Sequence, residues 1–470
     1  MKLLFIYPGL DPAYPIQLGS LSAYLKRGGH ETRLFAPVLK DWHVPDAVIG
    51  QLFRELLEFE PDFVAFCGYE LALTWIEQFA LQVKTYNPRI RTILGGYFPS
   101  ACPEDAIRSP NIDIICQGEG EAPLLALLNG PHRTDISGLW FKGRATMWSG
   151  RWKHPQGGRM DWQGEPLVFE LTRNPVAPLI SDLDSLPWPD RFHDHQRIIN
   201  ADSGTIKVIA GRGCYYACTY CYAKQMWAHL PDTDKDDYVR LRSPGNVVAE
   251  LVHLKHAGYQ FNRVGFHDDI FWGGHLDWLR EFKQRYVDGV GLPFYCAARV
   301  EMFNGEVFDL LQGAGCYLLL IGVESGDKAY RKQILRRHMS DEKIRWVVDE
   351  ARRRKMGVWT FNMVGMLNEG YRSMLATARL NWSLSPDFAM CSVWYPLRGT
   401  SMGNEAHEKG LVDTKAAKRV TSYARESVLK YSWGKKRFLS VVRWLNILSA
   451  CRRPLFWKLV WERLSNTSCI

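Results

Sequence analysis

Three cysteines, Cys214, Cys218 and Cys221, stand at the spacing C-x-x-x-C-x-x-C within GRGCYYACTYCYAK, residues 211–224. A compact loop with that spacing can aim three thiolates at one iron–sulfur cluster. Three protein ligands for four irons leave one iron open, and an open metal position is where a substrate or cofactor binds. The competing readings are a zinc knuckle and three unrelated buried cysteines. A structural zinc site closes with four ligands, and the nearby fourth is His229. A non-catalytic electron carrier fits less well, because such proteins usually close the cluster with a fourth cysteine.

The loop follows the strand-like run TIKVIAG, the first of six that begin at Thr205. RVGFHDD, PFYCAAR, YLLLIGVES, VWTFNMVG and DFAMCSVWYP continue the series, all rich in branched and aromatic residues. Helix-like stretches separate them, among them PGNVVAELVHLKHAG, HLDWLREFKQRY and DEKIRWVVDEARRRKMG. Strand–helix units in this number imply a partial barrel of parallel strands over 201–404, with the chemistry where strands end and loops begin. Asp268, Asp269, Arg299 and Glu324 fall at such ends.

Upstream, KLLFIYP, ETRLFAP, DFVAFCGY, RTILGG and DIICQGE alternate with helical runs such as AVIGQLFRELLEF. Residues 1–130 therefore read as an α/β, Rossmann-like, doubly wound sheet. Residues 131–200 are crowded with Gly, Pro, Asp and Trp and read as a linker with one small hairpin. Residues 405–470 read as a helical, basic, Trp-rich C-terminal region. Cys67, Cys116, Cys296, Cys316 and Cys391 lie in strand-like runs as small buried residues. Cys102, Cys451 and Cys469 show no ligand spacing, so a second cluster is not expected.

At 46% hydrophobic and 23% charged, the chain of 470 residues is globular and long enough for two or three domains. Its opening MKLLFIYPGL runs into a strand without the apolar core and cleavage site of a secretion signal. The expected location is the reducing cytoplasm, where clustered cysteines serve metal or redox chemistry. The net charge is +9, and the segment from Lys430 to Ile470 holds nine Lys and Arg against Glu462 alone. The body of the protein is thus nearly neutral, which argues against a nucleic-acid partner. In the tail, residues 438, 441, 442, 445 and 448 place apolar groups on one helical face. That face either covers the barrel or rests peripherally on anionic headgroups at the inner membrane face.

The cysteine loop closely resembles the C-x-x-x-C-x-aromatic-C motif of the radical S-adenosylmethionine (SAM) superfamily, with Tyr220 as its aromatic residue. RLRSPGNVVAEL, GFHDDIFW, IGVESGD and WYPLRGTSM resemble further segments of that family's barrel. The resemblance implies a [4Fe-4S] cluster on Cys214, Cys218 and Cys221, with SAM chelated at the open iron. It also implies reductive cleavage to a 5′-deoxyadenosyl radical, fed by an electron donor such as flavodoxin or ferredoxin. Asp268, Asp269 and Glu324 become candidate contacts to SAM or substrate, or else helix caps. Arg299 could meet the SAM carboxylate with a forked pair. Two segments depart from the family pattern: HDD at 267–269 replaces a Gly-Gly-Glu type motif, and GMLNE at 365–369 replaces a Gly-Leu-Pro-Gly-Glu type.

The first domain resembles the cobalamin-binding domains of one radical SAM branch through YPGLDPAYPIQLGSLSAYL, ILGGYFPS and CQGEGEAPL. Gly95 and Gly96, at a strand end, would let a bulky ligand approach the backbone. The Asp-x-His-x-x-Gly motif of many cobalamin proteins is missing, so no histidine from it would ligate cobalt. An architectural role for this sheet is the alternative. The resemblance implies cobalamin-dependent methylation of an unactivated carbon in a small-molecule or lipid substrate. Cyclisation, resembling the anaerobic magnesium-protoporphyrin ester cyclase, carbon–carbon bond formation or dehydration is the alternative chemistry.

Overall fold

A computed structural model describes residues 1–10, 15–147, 167–192, 195–228, 230, 237–420 and 427–430. His229, residues 11–14 of the first loop, and Cys451, Cys469 and the tryptophans of the basic tail lie outside the described residues. Two compact units are formed, residues 1–180 with 187–192, and residues 181–186 with the chain from 193 onward.

The first unit is built on strands β1 (Lys2–Ile6), β2 (Glu31–Phe35), β3 (Phe63–Cys67), β4 (Arg91–Gly95), β5 (Ile114–Cys116), β6 (Leu139–Met147) and β7 (Leu167–Arg173). Their order in the sheet is β2-β1-β3-β4-β5-β6-β7. The first five strands are parallel, as the doubly wound reading requires. Their side chains alternate between two cores, as a strand's period of two dictates. Leu4, Ile6, Val64, Phe66 and Leu94 pack with Leu52, Trp75 and Phe79 of the helices at Asp46–Phe59 and Leu73–Tyr86. Leu3, Phe5, Phe63 and Ile93 pack on the other face with Leu18, Leu25, Leu124 and Leu127. The hairpin within residues 131–200 is β6–β7, and it joins this sheet antiparallel to β5.

In the second unit β8 (Thr205–Val208) is followed by the two-residue strands β9 (Gly211–Arg212) and β10 (Arg240–Leu241), then by β11 (Arg263–Phe266), β12 (Phe294–Ala298), β13 (Cys316–Glu324), β14 (Gly357–Val364) and β15 (Phe388–Val393). Six of these form one parallel sheet in the order β15-β14-β13-β12-β11-β8. Chain order and spatial order coincide, and β8 and β15 do not pair with each other, so the barrel is partial. Helices at Pro244–His256, Gly305–Gly313 and Asp341–Arg353 cover its outside, capped at their first turns by Ser243, Asn304 and Ser340. Among the described residues no helix is long and apolar enough to cross a membrane.

One polar contact ties a covering helix to the sheet. On β14 the buried Thr360 Oγ1 lies 2.7 Å from Asn381 Oδ1, and Asn381 Nδ2 donates to Asn362 Oδ1 at 2.8 Å. Asn362 Nδ2 also donates to the Met390 carbonyl of β15 at 3.1 Å. Replacing Asn381 by Leu removes the acceptor of the Thr360 hydroxyl and the donor to Asn362 Oδ1 while Asn362 Nδ2 keeps Met390 O, and a buried polar group left unpaired costs ~1–3 kcal/mol. The Asn381→Leu variant should unfold at lower denaturant by that amount. An unchanged midpoint would mean that the network contributes nothing.

Candidate functional site

The cysteine loop leaves the end of β8 through an enclosed turn. β9 and β10 pair antiparallel and close the base of the segment between them. Gly213 lies at φ 96°, and a Cβ there would stand 2.3 Å from the Tyr238 carbonyl oxygen, so only glycine fits. Two carboxylates from the loop after β11 then hold the backbone. Asp268 Oδ1 accepts from Ala210 N at 2.8 Å and from Gly211 N at 2.6 Å. Asp269 Oδ2 accepts from Gly213 N at 3.2 Å. Burial pushes the Asp268 carboxyl up to about 7, against the lowering effect of those N–H donors. Its Oδ2 is buried and makes no hydrogen bond to the described residues. Neither aspartate caps a helix; both anchor the cysteine loop.

The three thiols converge. Desolvation within the concavity they line raises Cys214 to about 11 and Cys221, which solvent still reaches, to about 12, and Cys221 lies close enough to Cys218 and Cys214 for each to oppose its ionisation. Cys218 is buried whereas Cys221 and Asp269 are reached by solvent, as side chains lining a concavity are. Among the described residues no three His, Cys, Asp or Glu close on a single metal ion. Ligands of a cluster each take a different iron and stand farther apart than ligands of one ion.

Arg299, expected to face SAM, spends its fork inside the protein. Its Nη1 donates to Cys218 Sγ at 3.0 Å and its Nη2 to Glu301 Oε1 at 2.6 Å. The guanidinium also stacks 3.6 Å from the ring centre of Tyr216. A second arginine, Arg337, was not singled out from the sequence because only the fold brings it here. It donates from Nη1 to Tyr220 Oη at 3.2 Å and from Nη2 to the Gly322 carbonyl at 2.5 Å, and its Nη1 stands 3.6 Å from Glu324 Oε1. Glu324 ends β13 at φ 67°, an uncommon conformation for a side-chain-bearing residue. Gly322 makes room for it, since a Cβ there would lie 2.3 Å from Glu324 Oε1. Burial raises the Glu324 carboxyl, and Arg337 opposes that rise. In GMLNE, Glu369 Oε2 accepts from Met366 N at 3.1 Å, and burial raises its carboxyl to about 8.

In the first unit the carboxyl ends of β1, β3, β4 and β5 carry Gly9, Gly68, Gly95 with Gly96, and Gly118. The two central glycines differ. Gly96 has φ 104° and a Cβ there would meet Gly68 O at 2.8 Å, so the turn itself demands it. Gly95 has only ordinary contacts, the nearest being Cys116 Cβ at 3.7 Å. Leu10, Val38 and Trp42 in the loops at this same edge, and Tyr97 opening the helix at Tyr97–Ala101, are exposed.

The Radical SAM superfamily matches residues 208–380 and the B12 binding domain matches residues 10–128. The chain belongs to the radical SAM superfamily, in the branch whose barrel follows a B12 binding domain, and it is a radical SAM enzyme. It is similar to the cytidylyl-2-hydroxyethylphosphonate methyltransferase of Streptomyces wedmorensis, 23% identical over 85% of this chain and 79% of that one. It is also similar to the anaerobic magnesium-protoporphyrin IX monomethyl ester cyclase of Rubrivivax gelatinosus, 22% identical over 87% and 70%. Its fold matches the radical SAM methyltransferase TsrM of Kitasatospora setae with a TM-score of 0.62, at 17% identity, over 87% of this chain and 76% of that one.

Family membership implies a [4Fe-4S] cluster and SAM, and the first domain's family implies cobalamin. The residues present fit these groups. Three converged thiols beside a buried guanidinium suit a cluster, because iron takes thiolates and the cation offsets their charge. A glycine-lined sheet edge with exposed apolar side chains suits a bulky, partly apolar ligand such as cobalamin.

Two outcomes follow for the cluster. Cys218→Ala should lose iron and SAM cleavage after anaerobic reconstitution, and Asp268→Ala, which orphans two N–H groups of the loop, should retain less iron than wild type. Full iron content in both variants would refute the assignment. Arg299→Met removes a cation and a donor from the Cys218 sulfur, so the cluster should be harder to reduce, its midpoint moving to more negative potential. An unchanged midpoint in a potentiometric titration would show that Arg299 does not act on the cluster.

Proposed function

We propose that the chain is a cobalamin-dependent methyltransferase that places a methyl group on an unactivated carbon of a small-molecule or lipid substrate. The carrying observation is a B12 binding domain ahead of a radical SAM domain whose three cluster thiols converge. The relative named as a methyltransferase, aligned along most of both chains, supports the same reading. When bound, the cluster with SAM supplies a 5′-deoxyadenosyl radical and cobalamin supplies a transferable methyl group.

The chain's own residues then have separable tasks. Asp268 and Asp269 hold the loop that presents the thiols. Arg299, fixed by Glu301 and Tyr216, orients Cys218. Glu324 and Arg337 put an ion pair at the end of β13, with Arg337 held by its hydrogen bonds to Tyr220 and Gly322, at the end where barrel chemistry takes place. Flavodoxin or ferredoxin is the fitting class of electron donor. The tail's charge and tryptophans support peripheral contact with an anionic surface at the cytoplasmic face.

Cyclisation is the second reading, favoured by the similarity to the ester cyclase. Purified anaerobically with hydroxocobalamin, the enzyme should retain about one cobalt per chain. Given SAM labelled with deuterium in its methyl group, it should transfer that label to product. Cobalt-free protein, or turnover that yields deoxyadenosine and a product without label, would exclude methyl transfer and leave cyclisation.

A further inference from the structure

His267 and Tyr295 form a hydrogen-bonded pair on the inner face of the partial barrel. Gly265 on β11 is the cross-strand partner of Tyr295 on β12, and a Cβ at Gly265 would lie 2.5 Å from the tyrosine ring. The glycine therefore clears the space in which the phenol lies. Two residues on, His267 Nε2 meets Tyr295 Oη at 2.8 Å. His267 is exposed, and its Nδ1 makes no hydrogen bond to the described residues. Lys207, the register partner of Gly265 on β8, is neutralised by Asp202 at 2.9 Å. Desolvation of the ring inside the barrel, with the nearby Lys207 charge, lowers the His267 imidazole to about 4 while the residue still reaches solvent, and it is neutral at physiological pH.

Farther round the same face the lining changes. Along β14 the buried residues Val358, Thr360 and Asn362 point away from it, so Trp359, Phe361 and Met363 occupy it. In register on β15 stand Phe388 and Met390; the Trp359 and Phe388 rings lie 5.2 Å apart and Met390 is 42% exposed. Ala297 on β12 and its register partner Leu320 on β13 bridge the two regions. The inner face thus has a neutral polar pole on β11–β12 and an aromatic pole on β14–β15. Three strand spacings separate them, about 14 Å along the sheet.

We propose that His267, braced by Tyr295, is the specificity-determining residue of the substrate site, that it binds a hydroxyl group, and that Trp359, Phe361, Phe388 and Met390 receive an apolar body carried by the same molecule. A hydroxyl is the single-atom group that serves either imidazole tautomer, donating to a bare Nδ1 or accepting from a protonated one. Charged groups are disfavoured there because the ring is neutral and Lys207 is already paired. The substrate class is an uncharged alcohol with an apolar, ring-sized portion. This inference rests on the barrel being the substrate site of the proposed enzyme.

The test uses the anaerobically reconstituted full chain and two probes, 3-phenylpropan-1-ol and propylbenzene, which differ only in the hydroxyl. Binding is read by saturation-transfer NMR without turnover, so a chain that transfers no methyl group can still pass. Wild type should prefer the alcohol by roughly three- to tenfold, the worth of one neutral hydrogen bond. His267→Leu should lose that preference and His267→Gln, which keeps a hydrogen-bonding side chain, should retain it. Trp359→Ala should weaken both probes alike. Iron content and thermal midpoint identify any variant that has failed to fold. Equal binding of the two probes to wild type, or a preference that survives in folded His267→Leu, would overturn the proposal.

Discussion

Three backbone N–H groups, those of Ala210, Gly211 and Gly213, are held by two carboxylates from the next strand of the barrel. The functional site depends on this contact. A loop bearing three thiols has little regular structure of its own, and Cys214 and Cys221 resist ionisation because they are desolvated and close to neighbouring thiols. Left to local preferences, such a loop would spread. Tying its entry to Asp268 and Asp269 links it to β11, and the β9–β10 ladder closes it from the other side. The acidic pair thus serves the cluster by shaping its peptide.

Once the loop is held, its charge must be offset. Arg299 and Arg337 are both buried. One donates to Cys218 Sγ and the other to the Tyr220 hydroxyl, and Glu301 and Glu324 balance them. Each cation is fixed by several partners, so little reorganisation is required when thiolates form. Glu324 keeps its place at a positive φ because Gly322 gives up its side chain, which concentrates backbone strain at the end of β13. Aspartates, arginines and strained glutamate therefore form one connected shell around the loop.

What could be read from the chain beforehand follows the range of the physics. The cysteine spacing is local, and the branched and aromatic runs of β1–β5 and of the barrel strands are local, so loop and sheets were legible. Arg337 was not, because its partners Tyr220 and Gly322 are distant in sequence and meet only in the barrel. Asp268 and Arg299 were picked out by position, yet their partners turned out to be Ala210, Gly211 and Cys218, which no spacing rule reveals. The hairpin in residues 131–200 was legible, but not that its first strand, β6, joins the first sheet beside β5, because that pairing is long-range. Gly96 was singled out for ligand approach, and its turn also needs glycine for a reason no sequence rule gives, the closeness of the Gly68 backbone.

The central claim is that the three cysteines hold a cluster with one iron open to SAM. The most direct measurement is the electron paramagnetic resonance spectrum of the reduced, reconstituted protein with and without SAM, on samples whose iron has been quantified. The account predicts about four irons per chain and a reduced [4Fe-4S] signal whose shape changes when SAM is added. A signal that SAM leaves unaltered would mean that every iron is already closed by protein, and would contradict it.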